Sequence, residues 1–481
     1  MLRYIVERIS DGKFLELELP ITVSGAGRKL SGAGSFSGEI APIFDVYKYA
    51  GTDALIDPLA TFIHEEADGV IRGTWIVTRT EFEGAVWRIE GQGFSSFFAG
   101  RPYEGEYRGV KVDPIAVARH VAAHAQSVAG ASIGVTVTGS SPMRVGTDSD
   151  TKLAAAEAVL KEAKRVRTAN LKSRDARTKT KQAITKSHDA TIKALQATSK
   201  ARLQTLQALR KAKAPAGQIA AAQTARNSAV QAVKTAQAAK KTALKPVNDE
   251  LTVIRTALKA DTKSVDSAQD KVKAAKDAVS ADGGAWKILW WDTPDCLQSM
   301  QEAIDEAGYE WVEWSGWNAD RTKVLKEIRA VPRVGRKQDG LSFVEGDNII
   351  EQVTLEADAA DYANTIVAIG AGEGKKALRV TLSVASSRRR RVYVLDAKEV
   401  TKRSVLEGLA RAELAARSQL LSVAAVRVIN HPNAEFGVFD VGDSILIDMD
   451  GTGAGRQRIW RRIEELEWVG TDVCDLMLGG A

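Results

Sequence analysis

Between Tyr107 and Trp286 the chain contains no aromatic residue. From 151 to 279 it reduces almost to Ala, Lys, Thr, Gln, Ser, Val and Leu, and Gly and Pro are confined there to Pro215, Gly217 and Pro246. Such a stretch cannot fill a wide core, because aromatic side chains supply the largest buried areas. Its residues are strong helix formers. The breaker Lys213-Ala-Pro-Ala-Gly217 falls at the midpoint, so residues 151–213 and 217–279 each count 63. At 1.5 Å rise per residue each arm is ~95 Å long. Equal arms about one turn predict an antiparallel helical hairpin at 151–280.

The second arm carries a seam whose spacing alternates three and four, as in a coiled coil. It runs from Leu244 through Val247, Leu251, Ile254 and Leu258 to Val265, Ala268, Val272, Ala275 and Val279, with Asp261 in one seam position. The first arm is weaker, with Leu153, Leu160, Ala163 and Val166, then Ile184, Ile192, Leu195, Leu203, Leu206 and Leu209. Its middle, 171–181, is mostly polar. Alanine faces bury little area per residue, so fraying is expected near the tip unless neighbouring copies pack there. Pro246 is expected to kink the second arm. A disordered, nucleic-acid-binding linker is the competing reading of a Lys/Ala/Thr-rich tract; the matched arms and the seam favour the hairpin.

Charge separates the same regions. Residues 151–280 hold 28 Lys+Arg and 10 Asp+Glu, whereas the rest of the chain holds 39 basic and 51 acidic residues. A strongly cationic segment interrupts a mildly acidic protein.

The flanks read as β-rich. In 1–150, alternating strands are expected at Leu2–Glu7, Phe14–Leu19, Gly73–Arg79 and Glu81–Glu90, with turns at Ser10–Gly12 and Ala67–Gly69. A helix at about 113–128 follows, with Asp113 as N-cap and Pro114 at its first position. In 281–481, after Trp286–Trp291, a helix is expected at about 293–307, capped by Thr293 and stopped at Gly308. Strands are expected at Tyr309–Trp314, Ile349–Leu355, Thr365–Ile369, Leu378–Val384 and Val392–Leu395. A helix at about 398–420 precedes closing strands at Val423–Ile429, Ser444–Met449 and Arg458–Val469. The 481 residues suffice for two such domains beside the hairpin. The expected class is α+β: tandem antiparallel, β-barrel-like domains with a few helices, interrupted by a long α-helical coiled-coil hairpin.

Several classes of chemistry lose their candidates. No run reaches the ~18 apolar residues a membrane span needs, and Met1–Arg8 is not expected to serve as a Sec-type leader. Two cysteines, Cys296 and Cys474, exclude a disulfide scaffold and a cysteine-built zinc site. Gly370-Ala-Gly-Glu-Gly374-Lys375-Lys376 has three residues between the glycines where a phosphate loop needs four. It also lacks the Ser/Thr, so a hairpin turn is expected. His120 and His124 share a helix face, but Val121 stands where a zinc protease carries its general base. Asp292, Asp295 and Cys296 have no histidine near them in sequence. Arg388–Arg391 reads as a solvated loop, with contact to an anionic partner as the alternative. Trp286, Trp290, Trp291, Tyr309, Trp311, Trp314 and Trp317 read as core or oligomer interface, with a carbohydrate platform as the alternative. No catalytic, cofactor-binding or metal-ligating residue is assigned, and no enzymatic activity is expected.

Three segments carry a resemblance: Ser31-Gly-Ala-Gly-Ser-Phe-Ser-Gly-Glu-Ile40, Asp361–Gly374, and Phe436–Ile447 with Arg458-Ile-Trp-Arg-Arg-Ile-Glu-Glu-Leu-Glu-Trp468. They resemble tail hub (minor tail) proteins of long-tailed siphovirus phages, similar to the central baseplate hub of contractile phages. The resemblance covers most of 1–150 and 281–481 and brings no catalytic signature. It implies a homotrimeric structural protein of the virion tail tip, made in the host cytoplasm. Such a protein closes the tail tube, meets the distal tail protein ring, the tape measure protein and tip or fibre proteins, and takes part in host attachment and DNA passage. The hairpin departs from the family pattern; passing DNA or an anionic host envelope polymer is its candidate partner. The alternative is a tail-associated cell-wall hydrolase, or an envelope-binding protein that uses the basic hairpin.

Overall fold

The computed structural model describes residues 2–41, 54–357, 362–372, 374, 377–398, 400, 403–418, 421–450 and 455–480. The chain forms two compact units, residues 148–284 and the two flanking pieces together.

The N-terminal piece contributes β1 (Leu2–Arg8), β2 (Phe14–Glu16), β3 (Thr22–Lys29), β4 (Ser35–Ile40), β5 (Thr61–Ala67), β6 (Val70–Glu83), β7 (Val86–Gly93), β8 (Glu106–Gly109), α1 (Pro114–Ser127) and β9 (Val135–Thr138). The hairpin consists of α2 (Ser149–Lys211) and α3 (Ala216–Asp282). The C-terminal piece begins with β10 (Trp286–Leu289), α4 (Cys296–Glu306), β11 (Glu310–Trp317), β12 (Val324–Val331), β13 (Phe343–Val344), β14 (Glu356–Ala357), β15 (Thr365–Ile369), β16 (Arg379–Ser383) and β17 (Val392–Asp396). It ends with α5 (Arg403–Arg417), β18 (Leu421–Ser422), β19 (Ala425–Ile429), β20 (Ser444–Met449), β21 (Gln457–Val469) and β22 (Val473–Gly479).

The two flanking pieces share one sheet. Its path is β13-β20-β21-β3-β4-β7-β6-β5-β1-β2, with β22 on β21 and β19 on β22. The splice is the antiparallel ladder β21·β3, from Glu465↔Lys29 to Trp468↔Ala26. Just before its neighbour β4, a Cβ on Gly34 would stand 1.9 Å from the Gly27 carbonyl oxygen, so only glycine lets the backbones approach there. The core over this sheet draws Trp75, Trp87 and Phe36 from the first piece and Phe343, Ile463 and Leu476 from the second. A second core packs α1 on α4, with Val121, Ala122, Met300 and Ile304 buried between them. A third joins α5 to the small sheet β16-β15-β17. The two pieces also meet in a smaller ladder, where β8 pairs with β10 from Gly109↔Trp286 to Glu106↔Leu289.

Several boundaries differ from the sequence expectations. The Glu81–Glu90 strand is broken at Gly84, which takes φ 62° in the turn between β6 and β7. Strand β5 was not expected, because His64-Glu65-Glu66 reads as polar; all three side chains are buried. Thr293 does not cap α4: it is left-handed at φ 47°, and Asp295 is the cap, its side chain accepting from Gln298 N at 2.9 Å. Residues 349–355 form no strand. Asn348 turns the chain by accepting from Val344 N at 2.7 Å, and Ile349 makes only isolated bridges, to Glu345 and to Val428. The ends of the expected helix 398–420 lie partly outside the described residues.

In the hairpin, α3 runs unbroken through Pro246. It ends where Gly283 adopts φ 75° and its N–H bonds Val279 O at 2.8 Å, a left-handed cap suited to glycine. All the expected seam positions of α3 are buried or half-buried. The first arm differs. Val166 and Leu203 are 38% and 37% exposed, while Asn170, Arg174, Thr178 and Lys181 are half-buried along the polar middle of the arm. Polar residues hold this part together: Asn170 Nδ2 donates to Asp261 Oδ2 at 2.8 Å. Arg177 pairs with Glu250 at 2.7 Å and Lys240 with Asp189 at 2.5 Å. These partners recede from the turn in step, so the two arms are in one fixed antiparallel register.

Candidate functional site

The motifs singled out in the sequence disperse over the body. Gly370 and Ala371 lie in the turn from β15 to β16, where Gly370 N bonds Leu378 O at 2.8 Å and a strand follows. Residues 373, 375 and 376 of that motif lie outside the described residues. The strand that follows, in place of a helix N-terminus, removes the dipole that a phosphate loop uses.

His120 and His124 project from α1 with ring centroids 6.4 Å apart. Each ring instead packs on tyrosine: Tyr107 lies 4.5 Å from His120 and Tyr103 lies 4.2 Å from His124. The Tyr103 hydroxyl bonds His120 Nε2 at 2.9 Å. Partial burial, then the neighbouring His124, lowers the His120 pKa below its ordinary value. No cluster of three metal-ligating side chains occurs among the described residues.

Cys296 is buried, and its thiol is pushed up to about 11, first by burial and then by Asp295. It is a thiol rather than a thiolate at neutral pH, which makes it a poor nucleophile. Asp295 is committed to the α4 cap and to Gly100 N at 2.5 Å. The aromatic residues divide: Trp286 and Tyr309 pack with Trp311 in the core beneath α1 and α4, Trp290 and Trp291 touch each other with ring centroids 5.6 Å apart, and Trp314 and Trp317 lie apart from them. Trp311 is buried; Trp317 donates to Glu66 Oε1 at 3.1 Å; Trp314 stacks under Arg329 at 3.5 Å; Trp290 and Trp291 remain 54% and 47% exposed. Arg388–Arg391 forms an exposed connection between β16 and β17, with Arg388 5.6 Å from the Tyr362 ring centre.

The structure adds a constellation that sequence reasoning missed. Thr74 Oγ1 bonds His64 Nδ1 at 2.8 Å, His64 Nε2 bonds Glu7 Oε2 at 2.8 Å, and Lys326 Nζ donates to Glu7 Oε1 at 3.0 Å. Hydroxyl, imidazole and carboxylate stand in the order of a nucleophilic triad. Every member is at most 3% exposed, so no substrate reaches the hydroxyl. Burial would raise Glu7, but the bonds and charges of His64 and Lys326 hold it below the usual carboxylate range. Burial lowers the His64 pKa against the opposing pull of Glu7. This is a structural network that binds β12 of the second piece to β1, β5 and β6 of the first. Its only trace in sequence is the set of ionisable residues interrupting otherwise apolar strands.

Two more carboxylates lie in the body, Glu65 buried and Glu313 half-buried. Glu65 and Glu313 are each raised to about 7, chiefly by burial. Arg72 and Arg28 partly offset this at Glu65; the Ser95 N–H and Arg28 do so at Glu313. Arg28 also pairs with Asp440 and donates to Glu313 O at 3.0 Å, another tie between the two pieces.

No helix among the described residues is long and apolar enough to cross a membrane. No protein-family model matches the chain, and no curated protein matches it. Among solved structures, the chain is similar to the 43 kDa tail protein of prophage MuSo2 from Shewanella oneidensis. That match has 10% identity and a TM-score of 0.46, and covers 99% of this chain and 97% of the other. It is also similar to a tail protein from Neisseria meningitidis MC58, at 10% identity and a TM-score of 0.47, covering 99% of this chain and 96% of the other.

Proposed function

We propose that this chain is a structural component of a phage tail, the hub at the tail tip. It closes the tube and joins the distal tail ring to tip or fibre proteins, with its role in host attachment and DNA passage following from that position. The body is architectural, and three copies would form the ring.

One observation carries the reading. The hub-like segments Ser31–Ile40 and Arg458–Trp468 lie more than 400 residues apart in sequence. In the fold, β21 and β4 flank β3 as consecutive strands of one sheet. Features that resemble one family at both ends of the chain therefore build one continuous surface. The hairpin between them leaves that sheet uninterrupted. The fixed charges of the body, including Glu7–Lys326 and Arg462–Glu310, serve its internal cohesion.

Cryo-electron microscopy of purified tails tests this. Three copies of the body around the axis at the tube end are expected. Absence of the protein from purified tails, or its location along the tube wall, would overturn the reading.

A further inference from the structure

The charge of the hairpin is not evenly distributed along its length. From 190 to 248, the half that contains the turn, there are 11 Lys+Arg and no Asp or Glu at all. The half nearer the ends of the hairpin, 149–189 with 249–282, has 17 basic and 12 acidic residues. There the cations are compensated, as in Arg177–Glu250, Arg165–Glu162 and Lys276–Glu157. In the distal half only Lys240 pairs with a carboxylate, Asp189 just outside it, among the described residues.

The cations are also in rows. On α2, Lys193 and Lys200 of the distal half continue a seven-residue row that starts in the proximal half with Arg165, Lys172, Lys179 and Lys186, and all six are exposed. Seven residues of helix advance ~10.5 Å, so in a coiled coil they form a nearly straight ladder. On α3, Arg226, Lys234, Lys241 and Lys245 fall within about 100° of arc. Lys200, Arg226 and Lys234 converge on a groove of about 310 Å³ floored by Leu203, Val230 and Val233.

We propose that the distal half of the hairpin binds the phosphate backbone of duplex DNA, independently of base sequence. Unneutralised cations in rows gain most from the densest linear polyanion, through counterion release. Single-stranded nucleic acid would call for aromatic stacking platforms, and this segment has no aromatic residue. A membrane surface would call for a continuous apolar face, whereas the leucines, isoleucines and valines of this half, Leu203 aside, are buried or half-buried. A second copy of the same half would bring 11 cations against 11. Two paired helices are wider than a major groove, so contact runs along the backbone rather than to the base edges. DNA binding here is independent of membership in a tail, and the assay reads a binding constant rather than particle assembly.

The test uses the full chain and a labelled 30-base-pair duplex of mixed sequence, by fluorescence anisotropy from 50 to 200 mM NaCl. Six or more phosphate contacts predict a loss of about 1,000-fold in affinity over that range. One variant carries Lys193→Gln, Lys200→Gln, Lys211→Gln, Lys234→Gln, Lys241→Gln and Lys245→Gln. The control carries Lys152→Gln, Lys161→Gln, Lys164→Gln, Lys263→Gln, Lys271→Gln and Lys273→Gln. Helical circular dichroism must be unchanged in both. At 50 mM salt the distal variant is expected to lose more than about 30-fold in affinity, and the control less than about threefold. No binding by the native chain, equal losses in the two variants, or tighter binding to phosphatidylglycerol vesicles or poly-glutamate would overturn the proposal.

Discussion

The body and the hairpin solve the same problem by opposite means. The body buries large side chains and even ionised ones: Trp75 and Trp87 are at most 2% exposed, and the Glu7–Lys326 pair lies in the same interior. The hairpin buries little; its fully covered seam residues are small to medium, such as Val247, Leu251, Ala268 and Val272. Its register depends on Asn170–Asp261 and on ion pairs at the surface, which are individually weak. Stability is therefore concentrated in a unit made from two distant pieces of chain, while the contiguous unit is marginal. Contiguity in sequence does not measure cohesion in space.

The largest effect is expected from Lys326→Ala, which leaves Glu7 charged and buried without its ammonium partner. Loss of one member of a buried pair costs about 3–5 kcal/mol. Because every tryptophan lies outside the hairpin, tryptophan fluorescence in urea reports on the body alone. The fluorescence midpoint should fall sharply while the helical signal of the hairpin is retained. A coincident fall of both would mean that the two units are not independent. Pairing Lys326→Met with Glu7→Gln should recover much of the loss.

Next in size is Gly34→Ala, which places a methyl against the Gly27 carbonyl and should cost about 1–3 kcal/mol in the body. Native-state hydrogen exchange should show the loss of protection concentrated on β3 and β4.

The pH dependence is of similar size and opposite in origin. Glu65 and Glu313 rise from 4.5 to about 7 on folding, so the folded state holds their protons more tightly. Their contribution is full below pH 4.5, declines as the pH rises, and is lost once the pH has passed through about 7. Glu65→Gln should raise body stability at pH 8 by about 1–2 kcal/mol and flatten that decline. An unchanged slope in urea titrations at pH 5 and pH 8 would refute the assignment.

The smallest effect belongs to the hairpin. Asp261→Leu should raise its thermal midpoint while weakening its register, since a polar seam residue specifies alignment at a cost in stability. The gain should be about 1 kcal/mol by circular dichroism at 222 nm.

What the sequence reveals follows the same division. That the chain holds a long helical hairpin is legible because such a fold is local: helix formers, seam and one central breaker are all written in its own sequence. In the first arm the apolar pattern places most seam positions, Val166 and Leu203 excepted, but it cannot place those of the polar middle, where Asn170, Arg174, Thr178 and Lys181 are half-buried. In the body, strands such as Thr365–Ile369 and Ser444–Met449 show their alternation, but β5 hides behind His64-Glu65-Glu66. His64 is held inside by Thr74 and Glu7, and Glu66 by Arg3 and Trp317, all of them contacts between strands that no local pattern records. The ladder β21·β3 is likewise absent from any local pattern. For the surface proposed to bind DNA, the cation count is visible in the sequence at once. The acid-free half and the seven-residue lysine ladder needed the hairpin's register to acquire meaning.

The central claim is that two pieces of chain make one self-sufficient body from which the hairpin can be removed. Excising 148–284, with a short Gly/Ser link from Thr147 to Ala285, tests it most directly. Tryptophan emission should be unchanged, with one cooperative thermal transition within about 3 °C of the full chain's body transition. A product that aggregates, or that melts more than about 10 °C lower, would contradict it.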